Sequence, residues 1–314
     1  MQLLMLTITT VVVIVQVTHG QDCPCQYREA DPLFPGAEGA RWDCQYIQHG
    51  LTQIPVSCWD QYPNVTQVFL DYNEIGSVTS GSFERLTNLR TLSLKENAIT
   101  DIDSEVFADL NLLEFLDISK NKLVELPSSM WDLTSLKRLY LGDNRLAEVQ
   151  TYHIENLVNL EVLDLHLNHL SQIPYHSLEP LAQLRHIYLY WNMFTVLPVL
   201  SQNLMLEEFL VNGNAVTEFP KFVFGNLTKP MTYHFVDNPA YDVWGTMLLA
   251  LPDRSHIMMG SDVSVWVENE QQAQELLQKD WVVQDGLSNI IDLSNLVQIC
   301  GSFQAQSHSY IPPC

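Results

Sequence analysis

Three polar residues near the middle of the chain have types and spacing that could support chemistry. Asp164 and His166 are two residues apart, like two side chains on one face of a strand, and His186 follows farther along. A carboxylate and two imidazoles brought together could bind zinc or act as a general acid and base. The alternative is a solvated polar strip, which we favour because the sequence contains no HExxH, GxSxG or glycine-rich phosphate-binding signature. We therefore predict no enzymatic activity, no metal and no cofactor.

The cysteines form two groups, one at each end of the chain. These are Cys23, Cys25, Cys44 and Cys58 at the front, and Cys300 and Cys314 at the back. Four thiolates could hold a zinc ion, but an even number of cysteines favours disulfides in an oxidising compartment. Cysteines in a Cys-x-Cys pair rarely bond to each other, because strand-like backbone points their Cβ atoms apart. We predict that the first two cysteines bond to the next two, in either order, and that the last two bond to each other.

The beginning of the chain predicts a secretory signal peptide. Residues 1–20 contain no charge, include an apolar run over 11–15, and end with small residues, Thr18 and Gly20, at the usual −3 and −1 positions. The alternative is an uncleaved membrane anchor. However, the apolar stretch is interrupted by polar residues such as Gln16 and is shorter than the roughly 20 apolar residues that a membrane span needs. We therefore expect a secreted, extracellular protein without a membrane span.

A repeated pattern predicts the elements that would position these residues. The stretch from Leu160 to Leu170 reads LxxLxLxxNxL, a fixed-period signature of leucine-rich repeats. Its position-9 asparagine recurs at intervals of 22 to 24 residues, at Asn73, Asn97, Asn121, Asn144, Asn168, Asn192, Asn214 and Asn238. Positions 4 and 6 alternate along a short strand and face one core, and the asparagine amide can bond backbone groups in the turn that follows. One repeat cannot bury its apolar face alone, so the copies must stack.

This pattern resembles the extracellular leucine-rich-repeat family over roughly residues 44–238. The resemblance implies an α/β solenoid, a horseshoe of about eight repeats whose concave side is a parallel sheet, with a disulfide-bonded N-terminal cap. We expect the signal peptide over 1–20, the N-terminal cap over 21–64, the repeats over 65–238 and a C-terminal cap over 239–314.

The C-terminal segment, residues 239–314, departs from that family pattern. The periodic asparagines stop, and no cysteine pair follows soon after the last of them, as it does in the usual cap. Alternating valines over 263–267 predict a strand, and Asn269 could cap a short helix over Glu270–Leu277. Apolar residues over 287–297 predict a second helix. We therefore expect a C-terminal cap of an atypical kind.

The outward positions of the strands predict a binding surface. Positions 3, 5 and 7 should face the concave side, with position 8 at its rim. In the fourth to sixth repeats these positions hold Arg138, Tyr140, Asp164, His166, His186, Tyr188, Tyr190 and Trp191. Tyrosine, tryptophan and arginine are the most frequent interface anchors, and folding does not require outward-facing rings. The flanking repeats present smaller or charged groups, such as Asp117 and Glu208. We predict that a protein partner contacts this surface; the alternative is that the rings only shield the sheet.

Two sequons predict N-linked glycans. They are Asn64-Val-Thr66 and Asn226-Leu-Thr228, and each lies just before a predicted strand. Sugar on Asn64 and Asn226 would therefore leave the concave face open.

The charge balance is strongly acidic. The chain has 15 basic and 37 acidic residues, for a formal net charge of −22. Such a field repels nucleic acid and anionic membranes, and it would attract cationic partners. The simpler interpretation, which we favour from the sequence alone, is that the charge keeps the protein soluble.

Two functions agree with these features. The first is a secreted leucine-rich-repeat protein that recognises a protein partner through its concave sheet. The second is a non-catalytic subunit that stabilises a secreted enzyme. The length, signal peptide, N-terminal cap and atypical tail are similar to those of the non-catalytic subunits of Oplophorus-luciferin 2-monooxygenase and their arthropod relatives. A constant enzyme partner during purification would favour the second function.

Overall fold

The structure, a computed structural model, describes residues 25–28, 41–45, 50–284 and 297–299. The long range has short gaps at 63, 150–153, 175, 218–222, 226, 228, 240–241, 245–247, 249–250, 252, 260–263 and 268–269.

Several predicted processing sites lie outside the described residues, namely residues 1–20, Cys23, Asn226, Cys300 and Cys314. Within the described residues, Cys58 is disulfide-bonded and the glycan acceptor Asn64 is exposed. The backbone register of the first two strands places Cys25 opposite Cys44. In the part of the chain that the structure describes, no helix is long and apolar enough to cross a membrane.

The described residues form mostly short strands joined by turns. The first nine strands are β1 (Cys25–Arg28), β2 (Arg41–Gln45), β3 (Gln67–Phe69), β4 (Ser77–Val78), β5 (Thr91–Ser93), β6 (Asp101–Ile102), β7 (Phe115–Asp117), β8 (Arg138–Tyr140) and β9 (Val162–Asp164). The others are β10 (His186–Tyr188), β11 (Glu208–Leu210), β12 (Thr232–His234), β13 (Asp242–Trp244), β14 (His256–Met258), β15 (Ser264–Val267), β16 (Val282–Gln284) and β17 (Val297–Ile299). Helix α1 covers Glu270–Leu277, and 3₁₀ helices cover Val56–Cys58, Ser128–Asp132 and Ile154–Asn156.

Twelve of the described strands form one long sheet. Its order is β1-β2-β3-β5-β7-β8-β9-β10-β11-β12-β14-β16, with β1 antiparallel to β2 and all later neighbours parallel. Eight of these strands, β3, β5 and β7 to β12, belong to the asparagine repeats. The predicted parallel-sheet solenoid of about eight repeats is therefore confirmed. A smaller pair, β4 and β6, lies between the main strands in sequence.

The middle residue of each short strand points into a continuous core. These residues are at most 5% exposed, and in order they are Val68, Leu92, Leu116, Leu139, Leu163, Ile187, Phe209, Tyr233, Ile257 and Val283. Because side chains alternate along a strand, the residues before and after each of them point to the opposite, concave face. The alternation along each strand thus decides which residues lie on the concave face.

The asparagine ladder holds consecutive repeats together. Asn168 donates from Nδ2 to the carbonyl oxygens of Leu165, His166 and, one repeat earlier, Leu141, at 3.0 to 3.1 Å. Its Oδ1 accepts the backbone N–H of Leu146 at 3.0 Å. The other ladder asparagines make the same kind of bonds to their own and the preceding repeat. The predicted role of the amide is confirmed, since it satisfies backbone groups that the turn would otherwise leave unpaired.

The residue before each ladder asparagine has left-handed backbone. Its φ lies between 49° and 64°, at Tyr72, Glu96, Lys120, Asp143, Leu167, Trp191, Gly213 and Asp237. A residue with a side chain loses roughly 1–2 kcal/mol in this conformation. Because every repeat has the same geometry, the strain belongs to the turn of the repeat and not to one functional site. In every repeat except that of Gly213, this turn places one side chain at the rim of the sheet.

The main sheet continues beyond the last ladder asparagine. In the segment predicted as a C-terminal cap, 239–314, strands β14 and β16 extend it in parallel, and β13, β15 and β17 form a separate three-stranded parallel sheet. Helix α1 lies where the sequence predicted a helix. The second predicted helix, over 287–297, is wrong at its end, because Val297 begins strand β17; residues 285–296 lie outside the described residues.

Candidate functional site

The predicted surface residues lie on neighbouring strands of the concave face. The register aligns the first strand residues Arg138, Val162, His186 and Glu208 in one row, and the third residues Tyr140, Asp164, Tyr188 and Leu210 in another. The remaining three, His166, Tyr190 and Trp191, follow directly after β9 and β10. Since neighbouring strands are about 4.8 Å apart, side chains in one row are within contact distance of the next. The fold therefore brings all the predicted residues onto one surface.

His166 is held flat against the sheet. Its Nδ1 lies 2.5 Å from Oδ1 of Asp164, and that oxygen also accepts the backbone N–H of His166 at 3.1 Å. On its other side the imidazole stacks on Tyr190, with ring centroids 4.6 Å apart and planes 19° apart. A β-carbon added to Gly142 would overlap Cε1 and Nδ1 of the imidazole. The ring thus occupies space that only a glycine leaves open.

Trp191 occupies a similar space at the rim. Trp191 is 51% exposed. A β-carbon added to Gly213 would lie 2.7 Å from Cε3 and 2.8 Å from Cδ2 of the indole. The indole therefore lies over the backbone of the next repeat, with much of its surface open to solvent. We define the aromatic platform as His166, Tyr188, Tyr190 and Trp191.

Tyr188 belongs to a hydrogen-bonded group with Glu208 and His186. The Tyr188 hydroxyl donates to Oε2 of Glu208 at 2.5 Å, and Nδ1 of His186 lies 3.1 Å from the same oxygen. Burial raises the pKa of Tyr188 well above its ordinary value, and the hydrogen bond and charge of Glu208 raise it further. The phenol is therefore a fixed donor at neutral pH, and the ring cannot rotate freely.

The three residues with possible metal or acid–base chemistry are not brought together. Asp164 pairs with His166, whereas His186 pairs with Glu208 on the next strand. Across the described part of the chain, no group of three or more histidine, cysteine, aspartate or glutamate residues could hold a metal ion. His186 therefore does not join Asp164 and His166, because its neighbour on β11, Glu208, places a carboxylate oxygen 3.1 Å from its Nδ1.

Two more carboxylates lie on the concave face toward the N-terminal end. Oδ1 of Asp117 accepts the N–H of Ser119 at 2.8 Å and its hydroxyl at 2.6 Å. Oδ1 of Asp71 accepts the hydroxyl of Ser93, and the N–H of Lys95 at 3.0 Å. Both aspartates are buried, and burial raises the pKa of each. The concave face therefore keeps acidic groups at a cost to stability.

Sequence reasoning missed several residues that shape this surface. Gly142 and Gly213 provide space for the rings, yet they were not singled out. A signal was available: each is the only glycine at its repeat position, 7 and 8 respectively, among the eight asparagine repeats. Leu167 in the fifth repeat and Met193 in the sixth were also missed, and both are exposed apolar residues.

A family model and the solved structures agree with this architecture. Residues 63–123 and 134–194 match the model described as leucine rich repeat. None of the curated proteins matches the chain. The resemblance to luciferin monooxygenase subunits therefore stays a prediction.

Three solved structures share the fold. A leucine-rich-repeat protein of Leptospira interrogans is 24% identical, with a TM-score of 0.57, over 72% of this chain and 56% of that one. A chain of the octameric complex of latrophilin 3, Unc5D and FLRT2, where FLRT2 contributes the leucine-rich repeats, is 21% identical, with a TM-score of 0.61, over 71% and 70%. TLR13 in complex with ssRNA13 is 21% identical, with a TM-score of 0.62, over 88% and 43%. The chain thus spans little more than half the length of the first of these proteins.

At these identities the likeness concerns the fold alone. Together with the repeats matched at 63–123 and 134–194, it shows that the chain folds as a leucine-rich-repeat solenoid.

Proposed function

We propose that this chain is a secreted, non-enzymatic recognition protein that binds a protein partner across the concave sheet of its fourth to sixth repeats. The aromatic platform is the observation that supports the proposal most strongly. Its rings lie on the face away from the core, and glycine spaces, a stacked pair and a shared carboxylate fix their positions. Secretion is proposed from the predicted signal peptide over 1–20 alone.

The physical properties of these rings suit a protein interface. The core is already closed beneath them by buried residues such as Leu163 and Ile187, so exposed rings add little to it. Tyrosine and tryptophan provide large amphipathic surfaces and lose little rotamer freedom when a partner covers them. Seven strand spacings of about 4.8 Å give the eight asparagine repeats a sheet roughly 34 Å long, which is ample for a standard interface.

The similar structures support a binding role and show how varied the partners of this fold are. FLRT2 contributes leucine-rich repeats to an assembly with latrophilin 3 and Unc5D, and TLR13 is in a complex with single-stranded RNA. For the present chain we infer a protein partner, because a net charge of −22 repels the phosphate backbone of a nucleic acid.

Site-specific photo-crosslinking tests this proposal. A photoreactive phenylalanine analogue would replace Tyr190 in one variant and Val158 in the control; Val158 is exposed in the turn before β9. After exposure to the extracellular fluid of the source organism, mass spectrometry would identify the cross-linked protein. We expect a specific product from position 190 and not from position 158. Cross-linking that is equal at both positions would contradict the proposal. A constant enzyme as the product would identify the chain as a stabilising subunit.

A further inference from the structure

Two carboxylates lie directly beside the aromatic platform. Asp164 contacts His166, which stacks on Tyr190, and Glu208 binds the hydroxyl of Tyr188. Each ring system thus has a carboxylate at its edge. The side chain of Asp164 is 12% exposed and that of Glu208 is 35% exposed, so a partner at the surface can contact both.

Each of these carboxylates has one oxygen that its neighbours on the platform do not use. Both hydrogen bonds from His166 end on Oδ1 of Asp164. Similarly, the bonds from Tyr188 and His186 both end on Oε2 of Glu208. Those neighbours fix the orientation of each carboxylate and leave Oδ2 and Oε1 for a donor from outside the chain.

The concave carboxylates farther from the rings have a basic side chain near them. Burial raises the pKa of Asp71 and Asp117, while the ammonium group of Lys95 lowers both. Arg138 lies on β8, the strand next to β9, and is two strands away from His186 and three from Glu208. Carboxylates and exposed rings therefore lie together between β9 and β11.

We propose that the aromatic platform docks arginine side chains from a basic surface of the partner. A guanidinium group is planar, stacks on aromatic faces and donates N–H groups in its plane, so one arginine can contact Tyr190 or Trp191 and a carboxylate together. Asp164 and Glu208 accept those donors on the oxygens that the chain leaves open. Lysine, a compact ammonium without a stacking face, would use only the charge. This inference rests on the proposed function and specifies the chemistry of its partner.

Calorimetric titration with hexa-arginine and hexa-lysine tests the inference on the intact protein at about 50 mM salt, where exposed charges are only partly screened. We expect hexa-arginine to bind at least about threefold more tightly, because only arginine stacks. The double variant Asp164→Asn, Glu208→Gln should weaken hexa-arginine binding about tenfold or more, because charge-assisted hydrogen bonds are lost. Its thermal unfolding would confirm that it folds.

The matched control removes the same charge elsewhere. Asp109→Asn, Glu155→Gln neutralises two exposed carboxylates outside the strands of the concave sheet and should change hexa-arginine affinity by less than about twofold. A further variant, Trp191→Ser, keeps every carboxylate and should reduce the preference for arginine over lysine. Equal losses in the two double variants, or equal affinity of the two peptides for the unmodified protein, would overturn the inference.

The peptide titration and the cross-linking experiment distinguish failure of this inference from failure of the proposed function. If cross-linking from position 190 still captures one specific protein but the peptides show no preference for the platform, the proposed recognition function is supported and the inference about arginine docking is wrong. If arginine binds the platform but no protein is captured there, the proposed function fails.

Discussion

The imidazole of His166 occupies the space that a β-carbon on Gly142 would fill. Asp164 on one side and Tyr190 on the other hold it there. Three consecutive repeats thus fix one ring on the concave face: the fourth leaves space at Gly142, the fifth provides Asp164 and the sixth provides Tyr190.

A double-mutant cycle tests this relationship. Gly142→Ala should destabilise the protein by about 1–3 kcal/mol, because the imidazole must leave its position against Asp164. In a His166→Ala background the space is open, so the same substitution should cost less than about 0.5 kcal/mol. Denaturant unfolding of the four proteins measures both values. Equal costs in the two backgrounds would show that the ring does not occupy this space.

The asparagine ladder predicts a large difference between two asparagines. Asn168 donates to three carbonyl oxygens and accepts one N–H in the core, whereas the exposed Asn159 donates to the carbonyl of Thr134 at 2.8 Å. Asn168→Ala should cost at least about 1–3 kcal/mol, because buried backbone groups lose their partner. Asn159→Ala should cost less than about 1 kcal/mol. Melting temperatures of the two variants measure the difference, and equal values would contradict the register of the repeats.

Asp117 should reduce stability at neutral pH. Burial raises its pKa above the ordinary value of 3.8, and the bonds from Ser119 only partly offset this. The native state therefore binds this proton more tightly than the unfolded state. The resulting stability is present below the unfolded pKa and is lost as pH rises through the folded pKa. The free energy of unfolding of Asp117→Asn, measured with denaturant, should equal that of the unmodified protein near pH 4. At pH 7 it should be higher by about 1 kcal/mol. A variant that is less stable at pH 7 would contradict this account.

His234 should reduce stability under mildly acidic conditions. Its Nε2 is buried without a hydrogen-bond partner in the structure, and burial lowers its pKa, as does the neighbouring His256, against an opposing effect of Glu208. Because the folded pKa lies below the ordinary 6.5, the neutral form stabilises the fold above the unfolded pKa, and this stability is lost as pH falls below it. When the pH is lowered from about 7.5 to 5.5, the melting temperature of His234→Gln should decrease less than that of the unmodified protein. If the melting temperatures of the two proteins decrease equally over this pH range, a group other than His234 causes the acid sensitivity.

Local patterns predicted the parts of the structure that depend on one repeat. The alternation around Leu163 predicted a strand with one buried face, and the recurring asparagine predicted the turn, because both follow from backbone geometry within a few residues. The continuation of the sheet through β14 and β16 was not predicted. Those strands pair through backbone bonds and bury Ile257 and Val283 without a ladder asparagine, so the signature that we followed had already ended.

Contacts between repeats could not be read from that pattern. The sequence placed His186 near Asp164, but its partner is Glu208, which lies directly beside it in the strand register. The positions of the rings of His166 and Trp191 likewise depend on glycines in adjacent repeats. The repeat pattern gives the residue type at each position but not the rotamer of its side chain, so it could not predict these contacts. The sequence signal for both rings is that Gly142 and Gly213 are the only glycines at their positions in the eight asparagine repeats.

The affinity of the captured partner for a platform variant tests the central claim most directly. The variant Tyr188→Ser, Tyr190→Ser, Trp191→Ser would be compared with Tyr72→Ser, which removes an exposed ring at the same repeat position as Trp191 but five repeats away. Circular dichroism would confirm that both fold. Loss of interface anchors worth 2 kcal/mol or more should weaken binding by the platform variant more than about 30-fold, while Tyr72→Ser stays within about twofold. Unchanged affinity of a folded platform variant would contradict recognition through this face.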